Sequence, residues 1–219
     1  MAHDDVVYVD TQRGAELFDE AQVKSQFWTI CRYFISEKFL TYCGVASSAV
    51  VLNSLGIEAP DEPQIYPYKM FTQDNIFTDE VLHHRRPLDV EKGGSTLEQQ
   101  AVVLQALHVG VETYFGSDLD LETCRRLLID TLQSPDRRVI VDFNRKTLGQ
   151  KGSGHFSPLA AYHEGEDRFL LMDVARYKAP PCWVKASMLH EALLDIDTSS
   201  GKSRGFLIVS RPDAPPSAG

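Results

Sequence analysis

Three residues in this sequence have the types and the chain order that nucleophilic acyl transfer requires: Cys43, His155 and Asp173. Cys43 lies where a predicted helix begins, and the free N–H groups and positive dipole end of that helix favour a thiolate. A thiolate is the nucleophile that acyl transfer needs. Gly44 is expected to leave room for a substrate. The alternative interpretation is a buried structural cysteine in a helix.

His155 follows three small residues, Gly152, Ser153 and Gly154, in a predicted loop that can bring an imidazole beside a distant thiol. An unperturbed imidazole has a pKa of about 6.5 and can take and return a proton near neutrality. Asp173 ends an apolar strand, where a buried carboxylate needs a partner. We expect it to accept a hydrogen bond from Nδ1–H of His155, as in other triads. The alternatives are a surface histidine and an aspartate that caps a turn.

The elements expected to position these residues are a helical half followed by an antiparallel β half, an α+β arrangement. The predicted helices cover residues 15–38, 43–55, 95–108, 119–133 and 185–195, and Ser95 with Glu98 forms a predicted capping box. The predicted strands cover residues 139–143, 157–162, 169–174 and 206–210, and residues 1–14 are expected to form an irregular or strand-forming lead-in. Residues 58–94 are expected to form a long covering segment with short helices. The cysteine in the first half and the histidine in the second would face each other across a cleft, and their order is that of papain-like cysteine proteases.

The length and composition limit the remaining possibilities. The 219 residues predict one catalytic domain over residues 1–212, with lobes of roughly 1–135 and 136–212, and a disordered tail at 213–219. A net charge of -9 argues against nucleic-acid binding. The sequence has neither the roughly 18 apolar residues of a membrane span nor a signal peptide, so a cytoplasmic location is expected. Four cysteines without CxxC spacing predict no thiolate zinc site.

Four stretches of the sequence resemble the phytochelatin synthase, or glutathione γ-glutamylcysteinyltransferase, family. They are YCGVASSAVVLNSLGI (42–57), GSGHFSPLAAY (152–162), DVARYKAPPCWV (173–184) and EALLDIDTSSGKSRGFLIVSRP (191–212). The resemblance covers all three candidate catalytic residues and most of the predicted β half. The Cys-rich C-terminal half of the plant enzymes has no counterpart, which is similar to short bacterial members. The resemblance implies a papain-like fold.

The resemblance also implies a reaction on glutathione or its conjugates. Cys43 attacks the Cys–Gly peptide bond, His155 protonates the leaving glycine, and a γ-glutamylcysteinyl thioester forms on the cysteine. Water then releases γ-Glu-Cys, or a second glutathione accepts the acyl group to give phytochelatin. No tightly bound cofactor and no metal ligands are expected. Heavy-metal ions such as Cd²⁺ and Zn²⁺ enter as activators or as metal–glutathione substrate, and a homodimer is one expected assembly.

Substrate contacts follow from the same resemblance. Asp197 is expected to hold the α-ammonium of the γ-glutamyl group, and Arg204 offers the planar fork that suits its α-carboxylate. Gly154 and Phe156, on either side of the histidine, complete the predicted substrate-binding set. Arg176 is a further candidate, for a second substrate or for pairing with the triad aspartate. A solvated charged loop is the alternative interpretation of the first pair.

Glu37 departs from the family pattern. Papain-like enzymes, including this family, carry a Gln six residues before the nucleophile that donates a hydrogen bond to the oxyanion. An ionised Glu cannot donate, and the loss of one oxyanion donor costs about 10²–10³ in rate. Glu37 is therefore protonated in a dry site, or replaced by another donor, or associated with slow catalysis. A glutathione-binding pseudo-enzyme is the alternative function, whereas a general papain-type peptidase conflicts with the predicted γ-glutamyl site.

Overall fold

The computed structural model describes residues 6–214. Its helices are α1 (Gln12–Glu20), α2 (Phe27–Arg32), α3 (Cys43–Ser54), α4 (Asp79–His84), α5 (Pro87–Gly93), α6 (Leu97–Gln105), α7 (Leu121–Gln133) and α8 (Ala186–Leu194). Its strands are β1 (Val6–Tyr8), β2 (Gly110–Phe115), β3 (Arg137–Asn144), β4 (Gly154–His163), β5 (Arg168–Leu171), β6 (Cys182–Lys185), β7 (Ile196–Asp197), β8 (Lys202–Ser203) and β9 (Gly205–Ser210). Within residues 6–214, no helix is both long enough and apolar enough to cross a lipid bilayer.

Seven of the strands form one antiparallel sheet in the order β1-β6-β5-β4-β3-β9-β2. The strands β7 and β8 form a separate small hairpin. Alternation along β3 explains why the sheet is covered on both faces: Val139, Val141 and Phe143 enter one hydrophobic core, and Ile140 enters another. This combination of helices with an antiparallel sheet confirms the α+β class.

The helix α3 is the central element for the site. It is rich in small and apolar residues, and eleven of its twelve residues are buried. It packs on β3 and β4 within the same core as α6. Because a helix with apolar residues all round is stable only inside a protein, its first residue, Cys43, is held by packing on several sides.

Two details of the predicted helical half are wrong. Residues 15–38 do not form one helix: α1 ends at Glu20, and α2 begins at Phe27. Between them Val23 forms an isolated antiparallel bridge with Tyr162, so pairing with the sheet overrides the local helical pattern. The capping box lies one residue later than predicted, between Thr96 and Gln99.

The sheet is also larger than predicted. Its two edge strands, β1 and β2, come from the first half of the chain. The strand β1 lies within the lead-in that was expected to be irregular or strand-forming, whereas β2 and β6 were missed. Every residue of β2 is only partly buried, so it lacks the apolar run that makes a buried strand visible in a sequence. The division into two lobes stays a prediction. Most of the predicted disordered tail, residues 215–219, lies outside the described residues.

Candidate active site

Cys43 is the first residue of α3 and lines a cavity of about 420 Å³. It is buried, with an exposed fraction of 9%. The same cavity is lined by four of the predicted substrate-binding residues: Gly154, Phe156, Asp197 and Arg204. The fold therefore brings the predicted nucleophile and most of the predicted substrate contacts to one place.

His155, the second residue of β4, lies beside the thiol. The sulfur of Cys43, a ring nitrogen of His155 and a carboxylate oxygen of Glu37 all lie within 4.8 Å of one another. The imidazole Nε2 is 2.9 Å from Oδ1 of Asp173. The expected contact through Nδ1 is therefore wrong, because the ring is turned so that Nε2 faces the carboxylate. Nδ1 is then the nitrogen left for the thiol.

Asp173 accepts three hydrogen bonds on a single oxygen. Besides His155, Arg145 donates to Oδ1 from Nη2 at 2.7 Å, and the backbone N–H of Ala175 donates at 2.9 Å. Burial alone would raise the pKa of this carboxyl, but the histidine and arginine contacts outweigh it and lower the pKa to about 2. Asp173 is therefore ionised at any physiological pH.

Glu37 follows α2 and is 4% exposed. The hydroxyl of Tyr177 donates to its Oε1, whereas its Oε2 is buried and has no hydrogen-bond partner in the part of the chain described. Burial raises the pKa of this carboxyl, and the Tyr177 hydrogen bond only partly opposes the rise. A carboxyl of this kind is easily kept neutral.

Burial opposes charge on both the thiol and the imidazole. It raises the pKa of the Cys43 thiol to about 12, although backbone hydrogen bonds from Phe156 and Gly44 favour the thiolate. It also lowers the pKa of His155 to about 4, against the pull of Asp173. Both shifts run against the expected resting thiolate and favour a neutral pair, because burying a charge is costly even at the start of α3.

The cavity lining carries a second ion-pair network. Arg204 donates from Nη1 to Oδ1 of Asp142 at 2.9 Å and from Nε to Asp195 at 3.1 Å. Asp197 also lines the cavity, and its Oδ1 accepts from the backbone N–H of Ser199 at 3.0 Å. Burial raises the pKa of Asp142 to about 7, since Arg204 offsets only part of the desolvation.

Two glycines in the site allow neighbouring side chains to pack closely against the backbone. A Cβ on Gly154 would lie 2.1 Å from Nη1 of Arg204, so the missing side chain is what lets the guanidinium lie here. A Cβ on Gly44 would lie 2.4 Å from Oε1 of Gln100. The expectation that Gly44 makes room for a substrate is therefore wrong: it makes room for a neighbouring side chain, which in turn donates to Ser48.

Arg176 is the predicted site residue that the fold places apart. Its guanidinium carbon lies 5.2 Å from the ring centre of Phe34, and the residue is exposed and does not line the cavity. Pairing of Arg176 with Asp173 is therefore wrong, because Arg145 and His155 already occupy the carboxylate. Its proposed contact with a second substrate stays a prediction.

Three functional candidates were missed from the sequence. Asp142 interrupts the apolar strand VIVDF, and the argument used for Asp173, that a buried carboxylate needs a partner, applies to it equally. Arg145 follows the end of the same strand and is 1% exposed. Tyr177 had no sequence signal, since its contact with Glu37 joins two loops 140 residues apart.

Comparison with known proteins places this arrangement in a family. A sequence model of phytochelatin synthase matches residues 2–206. The chain belongs to the phytochelatin synthase family. The match includes Cys43, His155, Asp173 and both Asp197 and Arg204, so all five lie in the part that defines membership.

Curated relatives in the phytochelatin synthase family are longer than this chain. A protein of Lotus japonicus named glutathione gamma-glutamylcysteinyltransferase 1 is 32% identical over 210 residues, which are 94% of this chain and 40% of the relative. Its namesake from Arabidopsis thaliana is 33% identical over 207 residues, covering 93% and 41%. The glutathione gamma-glutamylcysteinyltransferase of Schizosaccharomyces pombe is 27% identical over 203 residues, covering 91% and 48%. The chain thus spans less than half the length of these relatives.

Proposed function

We propose that this chain cleaves the Cys–Gly bond of glutathione or its conjugates through a γ-glutamylcysteinyl thioester on Cys43. The observation that carries the proposal is a thiol beside an imidazole held by a carboxylate, where the thiol lines a cavity that is also lined by Arg204 and Asp197. The names of the curated relatives support the same reaction and substrate. The arrangement of nucleophile, base and orienting carboxylate supports a papain-like fold.

The neutral thiol makes His155 a general base in the first step. Nδ1 takes the proton from Cys43 as the sulfur attacks the carbonyl carbon of the Cys–Gly bond. Asp173 stabilises the imidazolium that forms, and it holds the ring with Nε2–H directed at its own Oδ1. The imidazolium then gives the proton to the leaving glycine nitrogen, and the thioester remains on the sulfur.

The tetrahedral intermediate carries an oxyanion that needs hydrogen-bond donors. The backbone N–H of Cys43 belongs to the first turn of α3, where amides have no acceptor inside the helix. Glu37 supplies the second donor in its protonated form. Because Tyr177 donates to Oε1, that oxygen is the acceptor of the carboxylic acid, and Oε2 carries the proton.

The charge pattern of the cavity lining supports a γ-glutamyl group as the acyl portion. Asp142, Asp195 and Asp197 are acidic, whereas Arg204 and Lys146 are basic, so both signs line one cavity. The α-amino-acid end of the γ-glutamyl group is a zwitterion, and it needs an anion and a cation at close range. In the proposed complex Asp197 holds the ammonium, and Arg204 holds the carboxylate with its planar fork.

The thioester is resolved by water or by a second glutathione, and one site serves both outcomes. Hydrolysis gives γ-Glu-Cys, whereas transfer, the reaction in the names of the curated relatives, gives phytochelatin. The alternative, a glutathione-binding protein without turnover, is favoured by the buried acidic Glu37 beside the thiol.

Mass spectrometry after incubation with millimolar glutathione, with and without Cd²⁺, tests the proposal. We expect a γ-glutamylcysteinyl adduct on Cys43, together with free glycine and either γ-Glu-Cys or its glutathione-extended product. The Cys43→Ser variant should fold, give no adduct and release no glycine. Glycine release by that variant would exclude Cys43 as the nucleophile. Folded wild-type protein that gives neither adduct nor product would favour the binding-only alternative.

A further inference from the structure

The nucleophile and two of its neighbours together form a possible set of metal ligands. A carboxylate oxygen of Glu37, the sulfur of Cys43 and a ring nitrogen of His155 lie within 4.8 Å of one another, and all three residues are buried. They come from three separate parts of the fold: the segment after α2, the start of α3 and the strand β4. Such a convergence of one sulfur, one nitrogen and one oxygen ligand suits a borderline divalent cation.

The outer contacts of this cluster match those of metal sites. A metal-bound histidine usually donates its second N–H to a carboxylate, which fixes the ring. Here Nε2 of His155 faces Asp173, so Nδ1 is left for a cation. A ligating carboxylate is usually hydrogen-bonded in turn, and Tyr177 donates to Oε1 of Glu37.

An orphaned atom points to a cation independently of the cluster. Oε2 of Glu37 is buried and has no hydrogen-bond partner among the described residues. A buried polar atom without a partner costs free energy that a proton donor or a cation would recover. Ligand atoms of a tetrahedral zinc site are about 3.5 Å apart, given bond lengths of about 2.0–2.3 Å. Small side-chain movements within the 4.8 Å cluster are enough to reach that geometry.

We propose that Glu37, Cys43 and His155 bind Zn²⁺ or Cd²⁺ in the substrate-free protein, and that the bound ion blocks the nucleophile. Binding replaces the protons of the Cys43 thiol and of the Glu37 carboxyl, both of which leave to solvent, and the sulfur and the carboxylate oxygen become metal ligands; no group is oxidised or reduced. A fourth coordination position faces the cavity, where water or a thiol fits. This departs from the sequence-based expectation of no metal ligands in the chain.

The proposed metal binding does not depend on the proposed function. Only the proposed inhibition rests on that function. While the sulfur is coordinated, it cannot attack a carbonyl, so free metal acts in competition with substrate. Excess glutathione would remove the ion as a thiolate complex and return Cys43 to its reactive state. The site thus makes activity depend on free metal rather than on total metal.

Titration with Zn²⁺ and Co²⁺ in the absence of glutathione tests the binding without any measurement of activity. We expect one Co²⁺ per chain with a thiolate-to-cobalt charge-transfer band in the ultraviolet, and displacement of Co²⁺ by Zn²⁺. Cys43→Ser should lose the band. Glu37→Gln keeps the side-chain shape but removes a proposed ligand. Because the loss of a group that only hydrogen-bonds to a metal ligand lowers affinity about 10–100-fold, we expect Zn²⁺ affinity to fall at least that much. Circular dichroism checks that both variants fold.

Cys31→Ser is the matched control, because Cys31 is an exposed thiol outside the cluster. That variant should keep both the band and the affinity. A band that survives in Cys43→Ser but not in Cys31→Ser would assign the metal to the exposed thiol and overturn the proposal. Equal Zn²⁺ affinity in wild type and Glu37→Gln, or no stoichiometric binding in the wild type, would also overturn it.

Discussion

Two buried aspartates are each paired with an arginine, yet the two carboxyls behave in opposite ways. Asp173 belongs to a catalytic cluster with His155 and Arg145, and Asp142 belongs to a substrate cluster with Arg204. Asp173 has its pKa lowered to about 2, whereas Asp142 has its pKa raised to about 7. Both are almost completely buried, so desolvation acts on both. The difference lies in the donors: Asp173 accepts hydrogen bonds from two side chains and one backbone amide, and Asp142 accepts one from Arg204.

This comparison shows that burial with a single cationic partner does not keep a carboxylate ionised. Several donors on one oxygen do, because each hydrogen bond stabilises the charged form directly. The catalytic cluster therefore holds a fixed negative charge that orients His155. The substrate cluster holds a carboxyl whose charge changes near neutrality, beside an arginine that it shares with Asp195.

The largest expected effect on catalysis comes from neutralising the charge of Asp173. Asp173→Asn keeps the size of the side chain but removes the anion that stabilises the imidazolium and selects its tautomer. We expect kcat for glycine release to fall about 10³–10⁴-fold, as in other triads, with KM changed little. The measurement is steady-state kinetics with glutathione, and thermal unfolding reports on the folded state. A loss expressed mainly in KM would mean that the catalytic cluster and the substrate cluster are not functionally distinct.

The charge of Asp142, which changes near neutrality, should affect how stability depends on pH. The pKa of Asp142 is higher in the folded chain than the roughly 3.9 of an unfolded one. Its stabilising contribution is therefore complete below about pH 4 and is lost as pH rises through about 7. Between pH 5 and 7, the free energy of unfolding of wild type should fall by roughly 2 kcal/mol more than that of Asp142→Asn, since one pKa unit corresponds to about 1.4 kcal/mol. Denaturant unfolding at the two pH values gives the difference.

The matched control for the pH experiment is Asp173→Asn. Its carboxyl is already ionised throughout this range, so its replacement should leave the slope of stability against pH between 5 and 7 as in wild type. Equal slopes of stability against pH for wild type and Asp142→Asn would contradict the raised pKa of Asp142. They would also remove the contrast between the catalytic cluster and the substrate cluster.

A smaller effect is expected from the guanidinium itself. Arg204→Lys keeps the positive charge but loses the fork that contacts Asp142 and Asp195 together. We expect KM for glutathione to rise about tenfold, which corresponds to about 1.4 kcal/mol, with kcat nearly unchanged. Lys146→Met, at an exposed position of the same cavity, is the control for general charge loss. An equal rise in both variants would argue against a specific carboxylate contact.

The same contrast explains how much of the site could be predicted from the sequence. Cys43 at a helix start and Asp173 after an apolar strand were recognisable because local patterns place them. Their ionisation was not, because the pKa of a buried thiol depends on desolvation by residues from distant segments. The ring orientation of His155 and the partner of Asp173 depend in the same way on Arg145, which only folding brings near.

The fold shows a similar division. The helix α3 and the strands β3, β4 and β9 were predicted because long apolar runs and small residues mark buried elements. The edge strand β2 was missed, since all its residues are only partly buried and it gains its order from its neighbour β9. The gap between α1 and α2 also arises from a long-range contact, the pairing of Val23 with Tyr162.

The smallest expected effect concerns a third carboxyl, which tests the rule that donor number sets the charge. Glu37 accepts one side-chain hydrogen bond, from Tyr177, and its pKa is raised as that of Asp142 is. Tyr177→Phe removes that donor from a half-exposed residue, at a cost of about 1 kcal/mol in a single hydrogen bond. We expect kcat to fall about threefold to tenfold with KM unchanged, because the carboxylic acid loses its orientation toward the oxyanion.

A double-mutant cycle with Glu37→Ala distinguishes positioning from a general structural effect. If Tyr177 acts through Glu37, the phenylalanine substitution should have almost no further effect on kcat once the carboxyl is gone. Additive losses would mean that the hydroxyl stabilises the loop after Asp173 rather than the acid. In that case the proton on Glu37 would be set by burial alone, and donor number would govern only those carboxyls that, like Asp173, accept several bonds at once.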